Sequence, residues 1–111
     1  MSEGAKETIH QKFTYDGEDL VVVAARLPMP EGYSTLTVAV RHAMSNEPWA
    51  QLSVHVIGDP DAELPEDEFW LKTYSENAEI TRALIGLGII ELTGRTYELT
   101  DWASVPSAKL A

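Results

Sequence analysis

Three patterns predict an α+β fold. Apolar and polar residues alternate over several short runs, one apolar stripe has helical spacing, and Pro-rich or Asp-Gly segments punctuate the runs. The expected architecture is an antiparallel β-sheet of about five to seven strands with one α-helix packed on one face. Strand order is not deducible from these patterns. At 111 residues the chain is one domain, large enough to fold without staples. Residues 1–7 are polar and are expected as a disordered tail, leaving 8–111 as a single α+β domain.

Thr8 to Tyr15 alternates, with Ile9, Phe13 and Tyr15 on one face. Asp16-Gly17 is a hairpin signal, because Gly accepts positive φ. Leu20 to Leu27 is the second strand, and Pro28-Met29-Pro30-Glu31-Gly32 a connection, since two prolines remove ladder donors. Tyr33 to His42 places Leu36, Val38 and Val40 inward. After a hairpin loop over 43–48, Trp49 to Ile57 forms a fourth strand with Leu52, Val54 and Val56 inward. The stretch Asp59-Pro60-Asp61-Ala62-Glu63-Leu64-Pro65-Glu66-Asp67-Glu68 reads as a surface loop, because neither helix nor sheet tolerates that proline spacing. Phe69 to Thr73 is a short strand. Ser75 is the expected N-cap of a helix with Glu76 and Glu79 near its positive dipole end, and Ile80, Ala83, Leu84 and Leu87 form its stripe. Gly88 suits the left-handed position after that helix. Ile89 to Leu92 and Tyr97 to Leu99 are expected as the arms of a hairpin turning at Thr93-Gly94-Arg95-Thr96, with the Glu-Leu-Thr copies at 91–93 and 98–100 facing each other. The tail from Trp102, with Val105 and Leu110, is expected to add an edge strand before or after Pro106.

The charge balance excludes some functions. Eighteen acids against eight bases leave a net charge of −10. Direct nucleic-acid binding and an anionic membrane surface are poor fits, since phosphate contacts need clustered Lys and Arg. The absence of Cys removes thiolate zinc sites and cysteine nucleophiles, and suits a reducing cytoplasm. No secretory h-region or span-length apolar run occurs. No cofactor is expected: Gly86-Leu87-Gly88 lacks the lysine of a phosphate loop and ends a helix where such loops begin one. There is no Gly-x-Ser-x-Gly elbow.

The segment Tyr74-Ser75-Glu76-Asn77, then Gly88-Ile89-Ile90 and Thr93-Gly94-Arg95-Thr96, resembles a family of short bacterial proteins of unknown function found on plasmids, phages and other mobile elements. The resemblance covers roughly residues 69–110. It implies a mobile-element context, in which small acidic proteins that disarm host defences are common, and no catalytic residues.

Between Arg41 and Lys72 lie seven acids and no Lys or Arg, six of them in 59–68. Asp59, Asp61 and Glu63 imitate the start of a calcium loop, but Leu64 stands where an EF-hand needs Gly and Trp70 where it needs a bidentate Glu, leaving at most a loose, weak site. Extended, ten residues span about 33 Å, giving one charge per roughly 5.5 Å against ~1.7 Å along duplex DNA. To mimic a nucleic acid, the stretch needs other acids such as Glu18, Asp19, Glu31, Glu76 and Glu79 on the same face. His10, His42 and His55 are expected on the surface, with His42 near Trp49 and His55 near Leu36, about 20 Å apart along the strand and so unable to share an ion. Trp70 is either an exposed anchor beside Glu66, Asp67 and Glu68 or a plug at the sheet end against the helix.

The expected function is a non-enzymatic acidic inhibitor that grips the basic surface of a nucleic-acid-handling or defence complex, of anti-CRISPR or anti-restriction type. Its contacts are Asp59, Asp61, Glu63, Glu66, Asp67, Glu68, Trp70, Glu76 and Glu79. The alternatives are a small uncharacterised enzyme or ligand-binding domain whose charge serves only solubility, with convergent polar groups in a concave pocket, and a homodimer formed through a Trp-bearing edge strand.

Overall fold

The computed structural model describes residues 7–28, 34–56, 59–101 and 103–111. The tail over 1–6, residues 29–33 of the first connection (Glu31 among them), residues 57–58 and Trp102 lie outside the described residues. The fold is α+β as expected, but its strands divide between two antiparallel sheets. Among the described residues there are eight strands, in sheets ordered β1-β2-β3-β4 and β5-β6-β8-β7.

Thr8–Tyr15 (β1) and Glu18–Pro28 (β2) are joined by Asp16 (φ 54°) and Gly17 (φ 79°), the two left-handed residues that a tight hairpin of matching twist requires. A bulge between Ile9 and Gln11 reverses facing along β1, so Phe13 and Tyr15 pack toward the core while Ile9 is exposed. This corrects the expected common face. β2 is central and buried on both sides, Leu20 and Val22 in the core and Val21 and Val23 on the reverse. Arg41, opposite Val21 on Ser34–His42 (β3), reaches across β2 to pair with Glu7. The loop to Pro48–Gln51 (β4) closes with His42 N–H donating to Glu47 O at 2.9 Å and Asn46 at φ 63°.

The expected strand over 49–57 is broken at Leu52, where the chain changes sheets. Leu52 N–H still donates to Val38 O at 2.9 Å, but Ser53–Val54 (β5) pairs with Glu68–Leu71 (β6). The Ser53 hydroxyl accepts from Val38 N–H and from Gln51 Nε2, both at 2.9 Å, and so satisfies donors at the corner. His55 therefore does not lie opposite Leu36. With β6 interior to its sheet, the strand that carries Trp70 is not an edge.

The helix start also differs. Ser75, at φ 56°, opens a 3₁₀ turn over Ser75–Asn77, and Ala78–Gly86 (α1) follows with Asn77 as its cap residue. Asn77 is buried, and its Nδ2 donates to Gln51 O at 2.6 Å, tying the helix start to the corner. Ile80 and Leu84 carry the stripe into the core, whereas Leu87, beyond the last helical turn, is exposed. Gly88 has φ 77° as expected. Its N–H bonds Ile85 O and that of Ile89 bonds Leu84 O, both at 3.0 Å, the paired closure of a helix end.

Thr93-Gly94-Arg95-Thr96 is not a hairpin turn. It is a bulge within one long strand, Ile90–Thr100 (β7), where the register with Ala103–Leu110 (β8) jumps from Leu92↔Ala108 to Thr96↔Pro106. The two Glu-Leu-Thr copies thus share a strand. Gly94 takes φ 99°, and the buried Ser107 hydroxyl accepts from Arg95 N–H at 3.0 Å and pairs with Thr93 Oγ1, which donates to Glu68 at 2.7 Å. β8 is interior between β6 and β7, not an edge, and runs through Pro106 because the β6 ladder ends at Ser107.

The main core lies between the sheets. Val22 and Val40 meet Phe69 and Leu71, with Leu84 and Ile90 closing one side. A second, smaller cluster forms on the reverse face of the β5–β8 sheet around Trp70, Val105 and Ala62. This second cluster positions the acidic stretch.

Candidate functional site: an acidic segment fixed on a sheet face

The acidic stretch does not hang free. Pro60–Ala62 forms a 3₁₀ turn in which Pro60 occupies the first position, where no N–H is needed. Asp59 caps it, its carboxylate accepting from Asp61 N–H at 2.9 Å, and Ala62 N–H donates to Asp59 O at 3.0 Å. Pro65 opens a second turn, closed by Glu68 N–H to Pro65 O at 3.0 Å. The prolines that exclude long elements therefore start two short turns within the expected surface loop.

Alternation within the stretch docks it. Ala62 is buried and Leu64 half-buried in the second cluster, while Asp61, Glu63, Glu66 and Asp67 face solvent. Two side chains from the sheet grip the segment. Trp70 Nε1 donates to Ala62 O at 2.9 Å, and the Tyr97 hydroxyl donates to Asp59. The two rings also contact each other, with centroids 5.6 Å apart. The Tyr97 hydroxyl, followed by Asp61 N–H, holds the Asp59 carboxyl below its ordinary range, and hydrogen bonding to Asp59 pushes the Tyr97 phenol up.

The predicted contact residues do not all share one surface. Asp61, Glu63, Glu66 and Asp67 form the exposed ridge. Asp59 and Glu68 adjoin it but are engaged inward, by Tyr97 and by Thr93. Trp70 is 5% exposed, so its reading as an exposed anchor is overturned; it lies beneath the segment and is not a plug against the helix. Glu76 pairs with Lys72 at 3.3 Å, and its own N–H, then Lys72, holds its carboxyl low. Lys72 lies 5.5 Å from the centre of the Tyr74 ring, which packs against the second cluster, so Glu76 flanks the ridge. Glu79 starts α1, which packs on the core side of the sheet, and is not grouped with the ridge. On the ridge side, the register row Glu68–Lys109–Glu91 adds Glu91, 3.6 Å from Lys109. Sequence reasoning missed Tyr97 and Glu91. The inward Ala62 and Leu64 were the available signal for docking.

Glu18 and Asp19 lie elsewhere. With Asp16 and Glu47 they surround the hairpin tips of the first sheet, where Ala43 N–H donates to Asp19 O at 2.9 Å and Met44 is 93% exposed. The His42 ring meets Trp49 edge-on at 5.1 Å, and its Nδ1 lies 3.8 Å from Glu18. His10, His42 and His55 are half-buried on separate elements, not fully at the surface as expected, and burial pushes the His55 pKa down. Among the described residues no three His, Asp or Glu side chains are placed to hold a metal ion. A cleft of about 290 Å³ at the far end of the first sheet is lined by Thr8, Ala24, Ala25, Arg26 and Leu36, with one charged residue among them. No helix of the described residues is long and apolar enough to cross a membrane.

Fold and site together define a two-sheet α+β domain that carries a pinned acidic segment on one outer face. Comparison with family models, curated proteins and solved structures finds no match to this chain.

Proposed function

We propose that the protein is a non-enzymatic acidic interaction protein. It occupies the basic surface of a nucleic-acid-handling or defence complex in the cytoplasm, in the manner of an anti-CRISPR or anti-restriction inhibitor that mimics nucleic acid. One observation carries the reading: four carboxylates, of Asp61, Glu63, Glu66 and Asp67, face solvent on a segment whose backbone is fixed, within a stretch of the chain that holds no Lys or Arg. Of the four, Asp61 lies in the 3₁₀ turn and Glu66 and Asp67 in the turn that Pro65 opens, so the segment is shorter than a fully extended chain. Glu76 and Glu91 are paired with Lys72 and Lys109, so the unpaired charge is that of the four ridge carboxylates. Complementary charge favours fast, salt-sensitive association.

The test is capture of partners from a bacterial lysate at low and high salt, with the wild type and with Glu63→Lys/Glu66→Lys/Asp67→Lys. The expected result is a basic nucleic-acid-binding partner retained at low salt, released at high salt and not retained by the triple variant. Retention indifferent to both salt and charge reversal overturns the reading.

A further inference from the structure

We infer that Tyr97 and Trp70 are positioning residues that lock residues 59–64 into one conformation before any partner arrives, so that a cationic partner meets a preformed ridge instead of a loop it must order. The inference rests on the reading of the ridge as a contact surface and adds how that surface is made ready.

The grip is built from two strands. Trp70 on β6 holds a backbone carbonyl, and Tyr97 on β7 holds the carboxylate that itself caps the 3₁₀ turn. Asp59 is therefore shared: one oxygen accepts from Tyr97 and the other from Asp61 N–H. Ala62 and Leu64 add an apolar seat against Trp70 and Val105. An acidic stretch that serves solubility alone needs none of this. A contact surface gains from it, because ordering a loop on binding subtracts from affinity and a fixed segment has already been ordered by folding. Asp61 and Glu63, within and just past the locked turn, gain most.

Amide hydrogen exchange read residue by residue on the full chain tests this. Tyr97→Phe removes one hydroxyl and keeps the ring. Asp59→Ala removes the acceptor, and Asp59→Asn keeps an acceptor while removing the charge. In Tyr97→Phe and Asp59→Ala the Ala62 and Glu63 amides should exchange about tenfold faster, the loss expected for one charge-assisted hydrogen bond at a part-exposed site. Asp59→Asn should retain most of the protection, and the Val22 and Leu71 amides should not change. Binding of a deca-lysine peptide should weaken several-fold in Tyr97→Phe, although that variant's charge equals the wild type's. Unchanged exchange at Ala62 and Glu63 in both Tyr97→Phe and Asp59→Ala overturns the inference, as does acceleration shared equally with Val22 and Leu71. The triple reversal to lysine leaves Asp59, Tyr97 and Trp70 in place. If it binds deca-lysine as the wild type does while Tyr97→Phe accelerates local exchange, the contact reading fails and the lock stands.

Discussion

Asp59 differs from the other acids of its segment because its oxygens are used. The Tyr97 hydroxyl and Asp61 N–H both stabilise the charged form, so its carboxyl titrates below the ordinary range, while Tyr97 titrates above its usual value. The signs follow from linkage. A carboxyl depressed in the folded state contributes stability that is present above its unfolded pKa and is lost as pH falls through the lowered folded value. A phenol raised in the folded state contributes below its unfolded pKa and is lost as pH rises through the raised value. The grip on the segment therefore holds across neutral pH and loosens at both extremes. A carbon-detected titration should place the Asp59 midpoint below about 3.9, the unperturbed value, and Tyr97→Phe should return it toward that value. A wild-type midpoint at or above it would refute the hydrogen bond. Asn77 gives a second residue-scale expectation. It is 1% exposed, and its amide satisfies Gln51 O at the point where the chain leaves one sheet for the other. Asn77→Ala leaves that carbonyl unpaired and should lower unfolding free energy by about 1–3 kcal/mol in urea, with the slope unchanged.

At the scale of elements, the legible features were those decided by adjacent residues. Asp16-Gly17 fixes the first turn by needing two positive φ angles, and Gly88 ends the helix by accepting one. The stripe through Ile80 and Leu84 follows from helical spacing alone. What escaped depends on distant partners. Nothing local to Leu52 says that Ser53 and Val54 will pair with Leu71 and Trp70. The alternation from Trp49 onward looks the same on either side of the corner. Thr93-Gly94-Arg95-Thr96 has turn chemistry, yet the buried Ser107 hydroxyl and Glu68 make it a bulge by supplying hydrogen bonds from two other strands. For the site, the exposed acids were visible as a run. The docking of the run was not, because it needs Tyr97, some forty positions away, and the reverse face of a sheet whose strand order was unknown. Gly88 and Gly94 yield a prediction of this scale. A Cβ at either would meet nothing within 4 Å, so the penalty is conformational only. Gly88→Ala and Gly94→Ala should each destabilise by about 1 kcal/mol, and a Gly94→Ala loss well above that would mean the bulge is also sterically closed.

For the molecule as a whole, the charge sets two effects of opposite sign in salt. Eighteen acids and eight bases make the compact state repel itself. The ion pairs described, Arg41–Glu7, Lys72–Glu76, Lys109–Glu91 and the His42–Glu18 contact, lie at least partly in solvent and contribute little each. Self-repulsion should therefore outweigh pairing. Raising NaCl from 0.1 to 1 M shortens the screening length from about 10 to about 3 Å, relieving repulsion among carboxylates while weakening attraction to any cation. The wild-type Tm should rise by several degrees over that range, while affinity for deca-lysine falls by tenfold or more. The triple variant Glu63→Lys/Glu66→Lys/Asp67→Lys, with six units less net negative charge, should show a smaller rise in Tm and little affinity to lose. A wild-type Tm that falls with NaCl would show that attractive pairs dominate the fold. Affinity that holds while Tm rises would separate the protein's charge from its recognition and remove the ridge as the contact surface.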